Sequence, residues 1–367
     1  MNKTDSKQVE LSIIVCTRNR AKQLATLIQC LGSQKNIESL NWEIVIVDNN
    51  STDNTREVAY AFCEGSNLKI NYIFESKIGL SNARNTGILT SKGSLILFID
   101  DDVLIPKEFL SNALFGIQEF PEFQIFGFKV LPDWDELISL SKKRDFKPPF
   151  WLSLKKPFSL IQSFLPIHDL GSESLQYPNR IAQNPIGACF LIKKEVFERL
   201  GPFREDLGAG QSGVCEDTEY FWYALMNNLN ILYWPYAVLY HPVMPERLTV
   251  QYLHKWYFNL GKSLYLVKNT GRLQKESMLQ SEGKRNSNNY KNSEVKKLIS
   301  QFKSKSPKFN AKLFKISLRL WLKLFLLIFL LPFSIVLILI KRPFYFSTLL
   351  SKNLGEITQA IKSKNKY

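Results

Sequence analysis

The sequence predicts an α/β fold built on a mainly parallel sheet, and three observations lead there. Short continuous apolar runs recur at residues 11–16, 42–47, 68–74 and 95–99, as expected of strands covered on both faces. Helical spacing fills the gaps: Leu24, Leu27, Ile28 and Leu31 fall at i, i+3, i+4 and i+7. Strand and helix alternating at this spacing give a parallel sheet. Polar side chains also gather just past the runs, at Thr17, Asp48 and Asp100. In open α/β sheets that is where ligands bind.

The elements follow in order. Residues 11–16 form the first strand, stopped by the polar turn Thr17-Arg18-Asn19-Arg20, and Gly32 closes the first helix. Residues 42–47 form the second strand, and the polar cluster 48–53 offers caps for the helix after it. Residues 68–74 are the third strand, 79–87 open another helix, and 95–99 are the fourth strand. That strand ends in Asp100, Asp101 and Asp102. In an extended chain Asp100 and Asp102 point one way and Asp101 the other. Burying three adjacent carboxylates unpaired is costly, and a divalent cation removes the cost. Oxygen ligands suit Mg²⁺ or Mn²⁺. A solvated acidic turn would look the same in isolation.

Beyond Pro106, residues 109–120 read as a helix and 124–130 as a strand. Residues 131–181 are irregular and rich in aromatics and prolines, which suits an acceptor-facing loop, a membrane-contacting surface or an accessory hairpin. Residues 184–192 return to strand pattern, with Gly187 and Ala188 leaving room for close approach. Residues 194–200 form a short helix closed by Gly201 and Pro202. The glycine-bearing loop 203–213 reads as a lid. Residues 231–240 look like the last strand pair, followed by His241.

Length allows one large domain plus extras. The formal net charge of +15 suits nucleic acid, an anionic membrane or phosphorylated substrates. No nucleic-acid motif appears. The five cysteines form no CxxC pair and read as free thiols in a reducing compartment. The first ten residues are polar and lack the apolar core of a signal peptide.

Four motifs in order, Thr17-Arg-Asn-Arg20, Asp48-Asn-Asn-Ser-Thr-Asp53, Gly79-Leu-Ser-Asn-Ala-Arg-Asn-Thr-Gly87 and Phe98-Ile-Asp-Asp-Asp-Val103, together resemble family 2 glycosyltransferases of the GT-A fold, surface-polysaccharide type. The resemblance covers about residues 9–245. It implies a Rossmann-like nucleotide-binding half plus an acceptor half. It also implies that Thr17, Arg18 and Asp48 line the nucleotide pocket and that Arg84 approaches the diphosphate. Asp100 and Asp101 would sit with the donor, while Asp100 and Asp102 form the D-x-D that holds a divalent cation, Mn²⁺ or Mg²⁺. His241 would complete the metal site. Cys215-Glu-Asp-Thr-Glu219 resembles the family's Glu-Asp motif, which makes Asp217 the catalytic base with Glu216 beside it; helix capping is the bland alternative for both. Gly187 and Ala188 would border the acceptor and donor-sugar pocket.

The C-terminal third differs in kind. Residues 247–268 read as a helix on the catalytic domain. The domain division expected is a catalytic domain at 1–265 (donor-binding about 9–106, acceptor and catalytic about 107–245), a polar basic linker or marginal helix at 266–310, a membrane-associated apolar helix at 311–342, and a tail at 343–367. Residues 324–340 carry no charge and span about 26 Å as a helix, close to a bilayer core. Basic residues on both flanks leave a true span and a re-entrant helix open. The longer basic cluster before the run leans the catalytic domain to the cytoplasmic side. Gln251-Tyr-Leu-His-Lys-Trp256 has Lys where processive synthases of the family have Arg in Q-x-x-R-W, which favours single-sugar addition. The expected partners are a nucleotide-sugar donor, a glycan or lipid-linked acceptor and membrane lipid, with no nucleic acid; oligomeric state is open. A non-catalytic nucleotide-sugar-binding scaffold and a sugar nucleotidyltransferase are the other classes this layout allows.

Overall fold

In a computed structural model of the chain, residues 9–134, 164–177, 184–273 and 343–364 are described. The N-terminal half alternates β1 (Leu11–Thr17), α1 (Ala21–Gly32), β2 (Trp42–Asp48), α2 (Thr55–Gly65), β3 (Ile70–Phe74), α3 (Leu80–Thr90) and β4 (Leu95–Ile99). Then come α4 (Phe109–Glu119), β5 (Ile125–Asp133), β6 (Leu175–Gln176), β7 (Cys189–Lys193), α5 (Glu195–Leu200), α6 (Glu216–Met226) and β8 (Ile231–Pro242). A 3₁₀ turn at Pro245–Leu248 leads into α7 (Val250–Asn269), and α8 (Pro343–Lys364) is the last helix.

These strands form a sheet in the order β3-β2-β1-β4-β7-β5-β8-β6. β1 pairs in parallel with β2 and β4, β2 with β3, and β5 with β8. β7 runs antiparallel between β4 and β5, and β6 runs antiparallel to β8. The sheet is therefore mostly parallel, and the carboxyl ends of β1, β2, β4, β5 and β8 share one edge. The strands' apolar runs alternate between two cores. Ile13, Val15, Ile44, Ile46 and Leu97 face Leu24, Leu27 and Ile28 of α1 and Phe109 of α4. Ile14, Val45, Ile96 and Phe98 face Ala83 of α3 and Tyr220 and Phe221 of α6. Burial on both faces explains why these strands read as continuous rather than alternating. Each fully buried Leu or Ile contributes about 1.5–3 kcal/mol.

Two expectations are corrected here. The stretch at 231–240 is one strand, not a pair. Its pairing with β5 jumps from Phe128↔Trp234 to Lys129↔Val238, so residues 235–237 bulge out. Pro235 has no N–H to give the ladder, which accounts for the break. The helix begun at Val250 runs through residue 265 to Asn269, with Leu266 and Val267 buried, so the catalytic unit does not stop there. The expected tail at 343–367 holds a helix, α8, packed on α7. No described helix is long and apolar enough to cross a membrane. The apolar run at 324–340 lies outside the described residues, as do 135–163 and 178–183 of the irregular stretch.

Candidate functional site

The shared strand edge collects the polar groups. Thr17 and Asp48 are register partners and both are buried. Asp48 Oδ1 accepts from Ser51 N at 2.9 Å and Oδ2 accepts from Tyr72 Oη at 2.9 Å. Asp48 thus holds its own loop, with lone pairs to spare for a ligand. Arg18 is exposed and makes no ion pair among the described residues. The arginine that matters in this turn is Arg20, whose Nη1 donates to Asp101 Oδ1 at 2.8 Å and Asp102 Oδ2 at 2.5 Å.

That bond sorts the three carboxylates. Asp101 turns away to Arg20 and is buried, so it anchors the turn rather than facing a donor. Burial pushes its carboxyl up to about 6, against the pull of Arg20. Asp100 faces the other way, and burial and then Asp102 push its carboxyl up. Burial also penalises Asp102, but His241, Arg20 and Arg247 outweigh it and hold that carboxyl below the usual range.

Asp100, Asp102 and His241 each offer a ligand atom within 4.8 Å of the others. The His241 ring is the telling detail. Its Nδ1 lies 3.0 Å from the carbonyl oxygen of Pro242, which can only accept, so Nδ1 carries the proton. Burial lowers the His241 pKa, keeping the ring neutral. Nε2 therefore presents a lone pair to Asp102 Oδ1, 3.3 Å away, and that buried oxygen has no hydrogen-bond partner. Two acceptors facing each other fit a cation between them, and the backbone bond at Nδ1 is the usual outer partner of a metal-binding histidine.

The second cluster joins the two halves of the domain. Arg84, on α3, is buried; its Nη1 donates to Glu216 Oε1 at 2.9 Å and its Nη2 to Gly187 O at 3.1 Å. Rings of Phe98, Phe190 and Phe203 surround the guanidinium at 5.4–5.9 Å. Arg84 Nη2 is also 4.0 Å from Asp100, so the guanidinium stands between α6 and the Asp100 end of the cleft, with part of its donor set spent on Glu216 and Gly187. Burial and then Asp217 raise the Glu216 carboxyl, while Arg84 opposes them. Glu216 is thus held in a buried ion pair with Arg84. Cys215 precedes it in the left-handed region, at φ 75°, a sharp entry into α6. Asp217 is half-buried; its Oδ1 accepts from Thr218 N at 2.6 Å. A Cβ at Gly187 would stand 2.8 Å from Asp217 Oδ2, so glycine is what lets this carboxylate seat there. Ala188 O accepts from Asp100 N at 2.9 Å, tying the same segment to the metal cluster.

The loop at 203–213 is not a free lid. Ala209 O accepts from Leu80 N at 2.9 Å, Leu207 O from Ser81 Oγ at 3.1 Å, and Ile78 O from Gln211 Nε2 at 2.8 Å. Glu219, on the far side of α6, is clamped by Arg272 at 2.8 and 3.1 Å.

Arg84, Asp100, Gly187, Asp217 and His241 all line one cleft of about 1270 Å³. Its opposite wall includes α7, through Tyr252, Lys255 and Trp256, and also Arg247. Arg20 and Arg247, and the placing of α7 in the cleft wall, are not among the site residues expected from the sequence. The helical interval from Tyr252 to Lys255 and Trp256 was the available signal. His168 also lines the cleft, but its Nε2 bonds Tyr177 Oη and burial lowers its pKa to about 4.

Comparison with known proteins agrees with this layout. The family model "Glycosyl transferase family 2" matches residues 12–201. The poly(ribitol-phosphate) β-N-acetylglucosaminyltransferase TarS of Staphylococcus aureus is 32% identical over 111 residues, 30% of this chain and 19% of TarS. An uncharacterised glycosyltransferase of Haemophilus influenzae is 27% identical over 193 residues, 52% of this chain and 55% of that protein. The chain thus spans about a fifth and about half of these relatives. Among solved structures, the mannosyltransferase PcManGT of Pyrobaculum calidifontis, in complex with GDP-Man and Mn²⁺, superposes with a TM-score of 0.51 at 18% identity, covering 97% of this chain and 87% of that one. That likeness concerns the fold, a mixed α/β layer with a mostly parallel sheet, consistent with GT-A. With a family match that takes in every strand from β1 to β7, the chain belongs to glycosyl transferase family 2.

Proposed function

We propose that this protein is an inverting glycosyltransferase that moves one sugar from a nucleotide-sugar donor to a hydroxyl of a glycan acceptor, using a divalent cation. The carrying observation is that one cleft is lined by Asp100, His241 and the Asp217 carboxylate, with an Asp102 oxygen within 4.8 Å of the Asp100 and His241 ligand atoms. Asp100, Asp102 and His241 would hold Mn²⁺ or Mg²⁺, which supplies Lewis-acid stabilisation to a departing nucleoside diphosphate. Thr17 and Asp48, buried at the neighbouring strand ends, receive the nucleoside. Asp101 and Arg20 fix the direction in which Asp102 points. Arg84 and Glu216 hold the segment around Gly187 against α6.

Asp217 Oδ2 takes the proton of the acceptor hydroxyl as its oxygen attacks the anomeric carbon. The bond to the nucleoside diphosphate breaks on the opposite face, so the configuration inverts. A carboxylate can act this way when it reaches the hydroxyl directly. The ligands named for PcManGT, GDP-Man and Mn²⁺, are of the class proposed. The name of TarS, a transferase onto poly(ribitol-phosphate), supports surface-polymer assembly as the setting. The apolar run at 324–340 supports membrane association, with the catalytic part on the cytoplasmic side, where nucleotide sugars are made.

The test is Asp217→Asn. Turnover should fall by about 10²-fold or more, the scale of a lost general base, while donor binding by calorimetry stays within twofold. NMR of the wild-type product should show an inverted anomeric centre. Unchanged turnover in Asp217→Asn, or a retained configuration, contradicts the reading.

A further inference from the structure

Helix α6, which carries Asp217, is gripped by a part of the chain far from the reacting groups. Its first turn holds three carboxylates, Glu216, Asp217 and Glu219. At about 100° per residue, Glu216 and Glu219 lie about 60° apart round the helix, while Asp217 lies about 160° from Glu219. Two of the acids therefore share the inward face and the third looks into the cleft. Both inward acids are buried, Glu219 completely, and each meets an arginine. Arg84 of α3 takes Glu216, and Arg272 takes Glu219.

Arg272 follows the end of α7 and stands well beyond residue 201, where the family match stops. Its Nε donates to Glu219 Oε1 at 3.1 Å and its Nη2 to Oε2 at 2.8 Å, the two-point fork of guanidinium on carboxylate. Nη1 donates to the carbonyl oxygens of Leu200 and Pro202, each at 3.1 Å. The rings of Tyr223 and Tyr220 lie 4.3 and 5.0 Å from the guanidinium carbon. Arg204 backs the clasp, 3.9 Å from Glu219 Oε1, with Nη1 on Thr270 O at 3.0 Å and Nη2 on Thr270 Oγ1 at 2.9 Å. The turn that returns the chain from α7 to α6 needs Gly271, at φ 79°, where a Cβ would lie 2.6 Å from Arg204 Nη1. A buried ion pair contributes little net stability compared with an apolar pair of the same volume. What the fork supplies is a fixed direction.

The geometry points to Arg272 as a positioning residue for the reaction: by clasping Glu219 it fixes the rotation of α6, and so the direction of the Asp217 carboxylate. This rests on Asp217 being the base, as proposed above, and adds a residue from outside the family match. Arg272 and Glu219 do not line the cleft, so the effect reaches the reaction only through α6. Arg84 and Arg272 grip the same face of the helix at successive levels, which resists both turning and tilting. With Arg272 gone, Glu219 is a buried charge whose nearest cation is Arg204 at 3.9 Å. The helix must turn or open to hydrate it. Either movement shifts Asp217, and small displacements of a reacting group are costly to rate.

The experiment uses the detergent-solubilised full chain with Mn²⁺ and UDP-, GDP- and dTDP-sugars, and follows release of the nucleoside diphosphate with water as acceptor. In that step the water oxygen bonds to the anomeric carbon and its proton passes to Asp217. The bond to the diphosphate oxygen breaks, its electron pair leaving with the nucleoside diphosphate. Wild type is compared with Arg272→Lys, Arg272→Gln, Asp217→Asn and the double variant Arg272→Gln/Asp217→Asn. Arg272→Gln should lower kcat tenfold or more, with donor KM within twofold and calorimetric stoichiometry unchanged. Arg272→Lys keeps the charge without the fork and should fall between. The double variant should be no slower than Asp217→Asn, because a base already removed cannot be misdirected. Amide exchange should quicken in the first turn of α6 while β1, β2 and β4 keep their protection. A wild-type kcat in Arg272→Gln, a parallel loss of kcat, donor affinity and stoichiometry, or a double variant slowed by the full further factor overturns the inference. Should Arg272→Gln not fold, Arg272→Lys alone and combined with Asp217→Asn is held to the same readings. An Asp217→Asn protein with the wild-type rate, or a folded wild type that binds no donor, overturns the transferase reading and the inference with it.

Discussion

Arg84 Nη1 donates to Glu216 Oε1 at 2.9 Å, joining α3 of the nucleotide-side half to the first turn of α6. Both side chains are closed to water, at 3% and 8% exposure. Removing one partner strands the other charge, which costs about 3–5 kcal/mol at a buried pair. Glu216→Ala should therefore lose stability on that scale in urea unfolding, and Glu216→Gln should lose distinctly less because an acceptor for Arg84 remains. Equal stability of wild type and Glu216→Ala would remove the pair from the fold's supports.

Gly187 gives a sharper test of the base. Its missing Cβ is what Asp217 Oδ2 packs against, at 2.8 Å from where that carbon would be. Gly187→Ala must push the carboxylate or the Arg84 guanidinium aside. We expect kcat to drop by about tenfold or more, since small displacements of reacting groups are costly, with donor affinity little changed. A variant with wild-type kcat would mean that the Asp217 position tolerates movement.

His168 sets an acid limit. It is buried, and burial lowers its folded pKa from 6.5 to about 4. Between those values the unfolded chain binds the proton and the folded chain does not. The contribution to stability is full above 6.5 and is lost as pH falls towards 4, to a total of up to about 3 kcal/mol. His168→Gln should flatten the unfolding free energy between pH 4 and 6.5. The same slope in both proteins would assign the acid loss to other groups.

The α7 and α8 crossing predicts a separable defect. Gly355→Val introduces side-chain atoms where the Phe258 carbonyl stands. Helix α8 should then undock, read as faster amide exchange across residues 343–364 and across the facing turn of α7, while β1, β2 and β4 keep their protection. Unchanged exchange in α8 would contradict backbone contact at that crossing.

The sequence carried the sheet well because its strands are buried on both faces and therefore continuous, and because the D-x-D, the Glu-Asp pair and His241 all follow local punctuation. What it hid is long-range. The partner of Arg84 lies 132 residues away, so nothing near Arg84 pointed to its buried ion pair. The same holds for Arg20, which looks like Arg18 in the turn and differs only by meeting Asp101 and Asp102 across about 80 residues. The loop at 203–213 shows glycines but not the bonds that its Leu207 and Ala209 carbonyls accept from α3 or the one that Gln211 donates to the Ile78 carbonyl. The break in β8 is the exception, since Pro235 marks it in the sequence.

The central claim is a nucleotide-sugar site organised by a cation at Asp100, Asp102 and His241. It is tested most directly by calorimetry of UDP, GDP, dTDP and CMP sugars on the detergent-solubilised chain, with and without Mn²⁺, in wild type and Asp102→Ala. The account predicts that one nucleoside diphosphate sugar binds, that Mn²⁺ tightens it tenfold or more, and that Asp102→Ala abolishes the gain. Binding of no donor by folded protein under either condition, or tight binding indifferent to both Mn²⁺ and Asp102, would contradict it.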